Sequence, residues 1–167
     1  QTQNAARMNM TPAVADLIAG LHSRGIALPA GHVRVDHYGD SPELSRSLLA
    51  LIRSGQKRAG TGLLWLHEHE GEPLPQVGDI EIVLTHDDKP SIVTRVTRVE
   101  VLPYRDVGAE YAAIEGEGDG SLDFWRKAHW SYFSRVCASI GKVPSEDMLV
   151  VCGVFEVLHV LPENDAA

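Results

Sequence analysis

Two β-branched runs joined by a turn constrain this chain most: "IEIVLT" over 80–85 and "SIVTRVTRVEVLPY" over 91–104, with "HDDKP" between them. β-branched residues fit a pleated surface, and alternation sends successive side chains to opposite faces of a sheet. The intervening Asp, Lys and Pro predict a hairpin. "TGLLWLHEH" over 61–69 and "MLVVCGVFEVLHVL" over 148–161 read as further strands. A sheet of this kind needs helices or a second layer to cover its apolar face.

Those helices are legible from their caps. "TPAVADLIAGLHSRG" has Thr11 as N-cap, Pro12 in the first turn, Gly25 at the end, and Val14, Leu17, Ile18 and Leu21 at helical spacing. "SPEL" opens a second helix with Ser41 as N-cap and a stripe of Leu44, Leu48, Leu51 and Ile52. A short helix is expected over "RDVGAEYAAIEG". The longest is "SLDFWRKAHWSYFSRVCASIG", with Leu122, Trp125, His129, Phe133, Val136 and Ile140 along one side. Together these elements predict an α+β fold: a small, curved sheet or barrel of five or six strands flanked by helices.

With 167 residues, 44% of them hydrophobic and 23% charged, the chain has the size and balance of one globular domain. No apolar run approaches a membrane span and no signal-peptide pattern stands at the N-terminus as given, so a cytoplasmic protein without membrane contact is expected. Cys137 and Cys152 lack metal spacing and have apolar neighbours, which predicts reduced core residues. The net charge of −8 argues against sequence-independent coating of nucleic acid. The charge is uneven, however: residues 43–58 hold Arg46, Arg53, Lys57 and Arg58 against Glu43 alone. Such a patch suits limited contact with a phosphate chain, or it is a solvated helix face whose cations answer the helix dipole.

Three stretches offer chemistry. In "SGQKRAGTGLLW" over 54–65, Lys57 and Arg58 precede Gly60-Thr61-Gly62, where small residues let a ligand approach the backbone. "EGEGDGS" over 115–121 sets Glu115, Glu117 and Asp119 at alternating positions. These carboxylates suit a general base, a partner for Lys57 or a divalent cation, and equally a solvated loop capping the next helix. "FWRKAHW" over 124–130 interleaves Arg126 and Lys127 with two tryptophans, an arrangement that either stacks on unpaired bases or fills a core. His67 and His69 would share one face of a strand but lack a third ligand, so no metal site is expected. There is no Gly-x-Ser-x-Gly elbow, dinucleotide fingerprint or cysteine zinc pair, and no cofactor is expected.

"YGDSPELSRSLLALIRSGQKRAGTGLLWLHE", "EPLPQVGD", "VEVLPYRDV", "EGEGDGSLDFWRKAHWSYF" and "MLVVCGVFEV", in that order, resemble the ASCH domain, a PUA-like β-barrel. "EGEGDxSLxxWRxxHW" is the most specific part. The resemblance implies an ASCH domain over 38–161, an N-terminal arm and extra helix over 1–37, and a tail over 162–167. It also implies a cleft in which Gly55-Gln56-Lys57 faces RNA or a nucleotide. Some members are single-stranded RNA ribonucleases, and others deacylate acetylcytidine with a lysine, a threonine and a glutamate.

By position Lys57 is the family lysine and Glu117, ahead of Glu115, the family glutamate. The deacylase threonine falls at Gly60, with Thr61 adjacent, because this chain reads Lys57-Arg-Ala-Gly60 where many relatives read Lys-Thr-Ala-Thr. Past Cys152, Gly153-Val154-Phe155 stands where relatives often continue Glu-Arg-Phe. The expected catalytic set is Lys57, Glu117 and Thr61; the expected RNA-contacting set is Lys57, Arg58, Arg98, Trp65, Arg126 and His129. Cleavage of single-stranded RNA ranks above acetylcytidine hydrolysis, since it does not need the missing threonine. A non-catalytic RNA-binding module and a sensor for a small anionic nucleotide are the alternatives.

Overall fold

The computed structural model describes residues 11–163; the expected arm over 1–10 and the tail beyond 163 lie outside the described residues. In chain order the elements are α1 (Pro12–Ser23), β1 (Val33–His37), α2 (Pro42–Ser54), β2 (Ala59–Leu63) and α3 (Leu64–Glu70). There follow β3 (Ile80–Leu84), β4 (Pro90–Pro103), a 3-10 turn (Tyr104–Asp106), α4 (Ala109–Glu115), α5 (Leu122–Ser139) and β5 (Leu149–Val160). The strands form one sheet in the order β1-β3-β4-β5-β2, curled into a half-barrel with helices around it. This is the α+β fold expected, with five strands.

The hairpin that anchored the sequence reading is β3–β4, in antiparallel register from Ile80↔Arg95 to Leu84↔Pro90. Long β4 then pairs with β5 through two register shifts, and these bulges bend the sheet. β5 carries β2 on its other side. β1 joins β3 in parallel, so the connector before α2 contributes an edge strand. The boundary expected between residues 37 and 38 therefore falls directly behind a strand hydrogen-bonded into the sheet.

Caps position the helices as the sequence indicates. Ser41 accepts a 3.1 Å bond from Leu44 N, and Ser121 accepts a 3.1 Å bond from Phe124 N, each satisfying a free amide at a helix start. The buried faces differ slightly from expectation. α2 buries Ser45, Leu48, Leu49 and Ile52, and α5 buries Trp125, His129, Phe133 and Cys137. The larger departure concerns "TGLLWLHEH": its strand stops at Leu63 and residues 64–70 are helical, closed by Gly71 at φ 66°. An unalternating Leu-Leu-Trp-Leu run satisfies either period, and the left-handed glycine favours a helix end. His67 and His69 consequently point to different sides of a helix rather than sharing a strand face.

Three apolar clusters support the sheet. One joins β2 and β5 to α4 and α5 and includes Leu63, Trp125 and Phe133. A second packs Leu21 of α1 on β3, and a third sets Leu49 and Ile52 of α2 against Val83 and Phe155. Cys137 and Cys152 are both buried and are not joined in a disulfide.

Candidate functional site

α2 ends at Ser54, and Gly55, at φ 84°, turns the chain inward. The next residues are held on three sides. Lys57 N donates to Leu51 O (3.0 Å), Arg58 N to Ile114 O (2.9 Å), and Phe155 N to Arg58 O (3.0 Å). Gln56 Nε2 donates to Gly116 O at 2.8 Å. Gly116 has to be glycine, because a Cβ there would stand 2.1 Å from Gln56 O, at φ +70°. The "SGQK" and "EGEG" stretches thus lie backbone against backbone. Lys57 is carried indoors and is only 1% exposed.

Its partner there is Glu115, also 1% exposed. Four donors converge on this carboxylate. Oε2 accepts from Lys57 Nζ (3.3 Å) and His129 Nε2 (2.9 Å); Oε1 accepts from Trp125 Nε1 (2.8 Å) and Thr61 Oγ1 (2.5 Å). Burial alone would push Glu115 up. Lys57 and His129, with hydrogen bonds from His129 and Thr61, overcome it and hold the carboxyl far below the usual carboxylate range. His129 Nδ1 donates to Trp125 O at 2.8 Å, so both ring nitrogens face acceptors and the imidazolium satisfies both. Burial opposes that charge, but Glu115 and then Glu117 raise the histidine above its ordinary value. The ring lies stacked on Trp125, centroids 4.2 Å apart.

Glu117 behaves differently. Its carboxylate stands 3.8 Å from Lys57 Nζ and 3.8 Å from His129 Nε2. Burial raises its pKa, Lys57 lowers it, and the ionised neighbour Glu115 adds to the rise. Two carboxylates two residues apart are therefore driven in opposite directions, the pattern that separates a fixed anion from a proton carrier. Lys57 Nζ also donates to Ala59 O at 2.7 Å, which leaves its third hydrogen for Glu117 or a ligand. Glu115, Glu117 and His129 are close enough to hold a metal ion, but Lys57 already brings a positive charge among them. Asp119 is not part of this group: its carboxylate accepts from Ser121 N at 2.9 Å at the start of α5.

These residues open into a cavity of about 290 Å³, near the lower end of small-molecule sites. Lys57, Thr61, Glu115, Glu117 and His129 all line it. Thr61 Oγ1 contacts Tyr111 OH at 3.0 Å besides Glu115, and Tyr111 OH donates to Gly60 O at 2.9 Å. The absence of a side chain at Gly60 is matched by Tyr38. A Cβ on residue 60 would stand 3.1 Å from the Tyr38 ring. Tyr38 also lies under the Lys57 ammonium, 5.5 Å from ring centroid to Nζ. Cys152, next to this end of the cleft, is no thiolate, since burial pushes its thiol up to about 12.

The other expected contacts are scattered. Arg58 is exposed and its Nε caps α2 through Gly55 O at 3.0 Å. Arg98 is exposed on β4. Trp65 packs on the α5 cluster with Lys142 over its ring. Arg126 lines a separate groove with Lys127, Trp130 and Arg105. Sequence reading missed Tyr38, Arg34, Asp36 and Glu81, which line the cleft from β1, β3 and the turn after β1. The one available signal was the alternation of Arg34, Asp36 and Tyr38.

Among the described residues no helix is long and apolar enough to cross a membrane. A family model for the ASCH domain matches residues 34–159. The solved structure of an ASCH domain from Lactobacillus crispatus JV V101 is 30% identical, with a TM-score of 0.76, and the match covers 89% of this chain and 96% of that one. A protein of Enterococcus faecalis V583, assigned to family DUF984, is 31% identical with a TM-score of 0.73, over 85% of each chain. No curated protein matches significantly. The family match spans most of the chain and the same fold recurs in two relatives of this identity, so the chain belongs to the ASCH domain family.

Proposed function

We propose that this protein binds single-stranded RNA in the cleft and cleaves it without a metal, using Lys57 and Glu117. The observation that carries the reading is the buried Lys57 ammonium, held by an ionised Glu115 beside a second carboxylate whose proton affinity is raised. Holding Lys57 on a fixed carboxylate keeps its charge aimed at one place, where it stabilises a developing anion without reorganisation. Glu117, with its raised pKa, is the better base of the two. It takes the proton of a ribose 2′-hydroxyl as that oxygen attacks phosphorus. The bond from phosphorus to the 5′-oxygen breaks, Lys57 neutralises charge on the phosphoryl oxygens, and the 5′-oxygen leaves with a proton from water. The products are a 2′,3′-cyclic phosphate and a 5′-hydroxyl. A small cleft suits one extruded nucleotide rather than a duplex.

Incubation with labelled single-stranded RNA, read by mass, tests this. Cyclic-phosphate ends should appear at a rate unaffected by a chelator, and Lys57→Ala should slow cleavage by about 10²–10³-fold. A folded Lys57→Ala protein that cuts as fast as wild type overturns the reading. Intact RNA with salt-sensitive binding would instead identify a non-catalytic RNA-binding module.

One observation favours a second reading, amide hydrolysis on an acylated cytidine: Thr61 Oγ1 donates to Glu115 and lines the cleft. Against it, Glu115 is held so firmly ionised that it is a weak base for activating a hydroxyl. Release of acetate from acetylcytidine, lost in Thr61→Val, would decide for it.

A further inference from the structure

The two tryptophans of "FWRKAHW" part company in the structure. Trp125 fills the core beside Glu115 and is 2% exposed, whereas Trp130 stays 36% exposed. Trp130 lines a groove on the far side of α5 from the cleft. With about 3.6 residues per turn, Arg126, Lys127 and Trp130 face one way from the helix, and Ala128, His129 and Tyr132 face the other, into the cleft. Tyr104 and Arg105 of the 3-10 turn, with Glu146, form the opposite wall. Tyr104 is buried and held at both ends: its hydroxyl donates to Arg126 O at 2.6 Å, and its ring centroid lies 5.5 Å from Trp125 and 5.4 Å from Trp130. The Trp130 indole is therefore backed by a fixed ring while it remains open to solvent.

The charges around that indole suit an anion. Arg105, Arg126 and Lys127 line the groove against Glu146 alone, on a chain whose net charge is −8. Arg105 is engaged by Asp106 and Asp147. Arg126 and Lys127 are exposed and, among the described residues, have no carboxylate in ion-pair contact. They precede Trp130 by four and three residues, so both flank its ring on the helix surface. No side-chain cation of the described residues covers that ring; those that lie over aromatic rings sit on Tyr38, Tyr132 and Trp65. We propose that this groove is a second RNA contact, outside the cleft, where an unpaired base stacks on Trp130 and neighbouring phosphates lie on Arg126 and Lys127. The proposal rests on the RNA-binding reading of the cleft and carries the strand's path around α5. Stacking on an aromatic face tolerates every base, and phosphate contacts carry no sequence information. The groove therefore adds affinity for longer strands without choosing a sequence. A helix with its side chains is about 10–12 Å across, so a strand has to extend beyond the nucleotides in the cleft to reach Trp130.

The test measures binding of 2′-fluoro oligouridylates, which lack the 2′-hydroxyl nucleophile, as a dinucleotide and as a strand of about ten residues. Wild type is compared with Trp130→Ala, Trp130→Phe, the double variant Arg126→Gln/Lys127→Gln, and Lys57→Ala. Trp130→Ala should weaken the long strand about tenfold and leave the dinucleotide within about twofold of wild type. Trp130→Phe keeps a stacking face and should recover most of that loss. The double variant should reduce the slope of log K against log salt for the long strand by about 1.4, at about 0.7 for each phosphate contact removed. Lys57→Ala should weaken both lengths. Long-strand affinity and salt slope unchanged in Trp130→Ala and in the double variant overturn the groove and leave the cleft reading standing. Weakening by those variants, with no effect of Lys57→Ala and no RNA cleavage, keeps the groove and removes the cleft reading. Wild type that binds neither length removes both. Binding of an oligoglutamate peptide instead, lost in the double variant, would assign the groove to an acidic protein and overturn the RNA contact. Both changes of the double variant are at exposed positions, so it decides even where Trp130→Ala does not fold.

Discussion

Glu115 and Glu117 are separated by one glycine, yet the first is enclosed and the second stands partly open to the cleft. Glu115 is enclosed by Lys57, His129, Trp125 and Thr61, so its removal strands two buried cations. Glu115→Gln should destabilise the protein by about 3–5 kcal/mol, the cost of breaking a buried ion pair from one side. Urea unfolding monitored by tryptophan fluorescence would show it, and a loss under ~1 kcal/mol would mean that water reaches Glu115. Glu117→Gln removes a carboxylate that burial and Glu115 already resist charging, and it should leave stability nearly unchanged while abolishing turnover. Gly116 makes the arrangement possible. Gly116→Ala forces a Cβ into Gln56 O and should cost more than about 2 kcal/mol in the same unfolding assay. Read alone, "EGEG" suits a partner for Lys57 and equally a solvated loop, and only the opposing segment at Gln56-Lys57 distinguishes the surroundings of the two positions.

At the scale of elements, what the sequence disclosed depended on whether the signal was local. Ser41 and Ser121 mark helix starts through side-chain bonds to amides three residues on, Pro42 takes the first position of its helix, and these were readable. β3 and β4 were readable because β-branched alternation and a turn leave few other choices. Lys57 was not. Its sequence context is that of a cation at a helix end, and only Gly55 in the left-handed region turns it from solvent into the core. His129 looked like a packed histidine, and it is packed, but the group it packs against is a carboxylate ten residues from Trp125 on a different element. The same dependence makes α5 testable as a unit, because it delivers Trp125 and His129 from one face one turn apart. Ser121→Ala removes its N-cap bond and should cost about 1 kcal/mol by thermal unfolding. Fraying only the first turn, it should reduce the affinity for RNA less than His129→Gln does. An equal loss of affinity would show that the site depends on the helix start itself.

Across the whole molecule, the cleft is lined by carboxyl groups with opposite effects on stability. Glu115, depressed from its usual value near 4.5, contributes stability that is present above that pH and is lost as acid carries the protein toward the folded-state value. Glu117 and Glu81 are raised from the same starting value, so the folded protein holds protons that the unfolded chain has released. Their contribution to stability therefore falls as pH climbs from about 4.5 through the raised values. His129, raised from 6.5, works in the same direction: its contribution is complete below 6.5 and disappears as pH rises through the folded value. The urea midpoint should consequently peak on the mildly acidic side, at about pH 5–6, and decline toward pH 8. Glu81→Gln keeps a donor beside Asp36 and removes the ionisation, so its stability relative to wild type should improve steadily between pH 5 and 8. A wild-type midpoint still rising from pH 6 to 8 would contradict this account of the cleft. The decline is the expected cost of a site that keeps carboxyl groups of raised proton affinity in a buried cleft rather than replacing them with apolar residues.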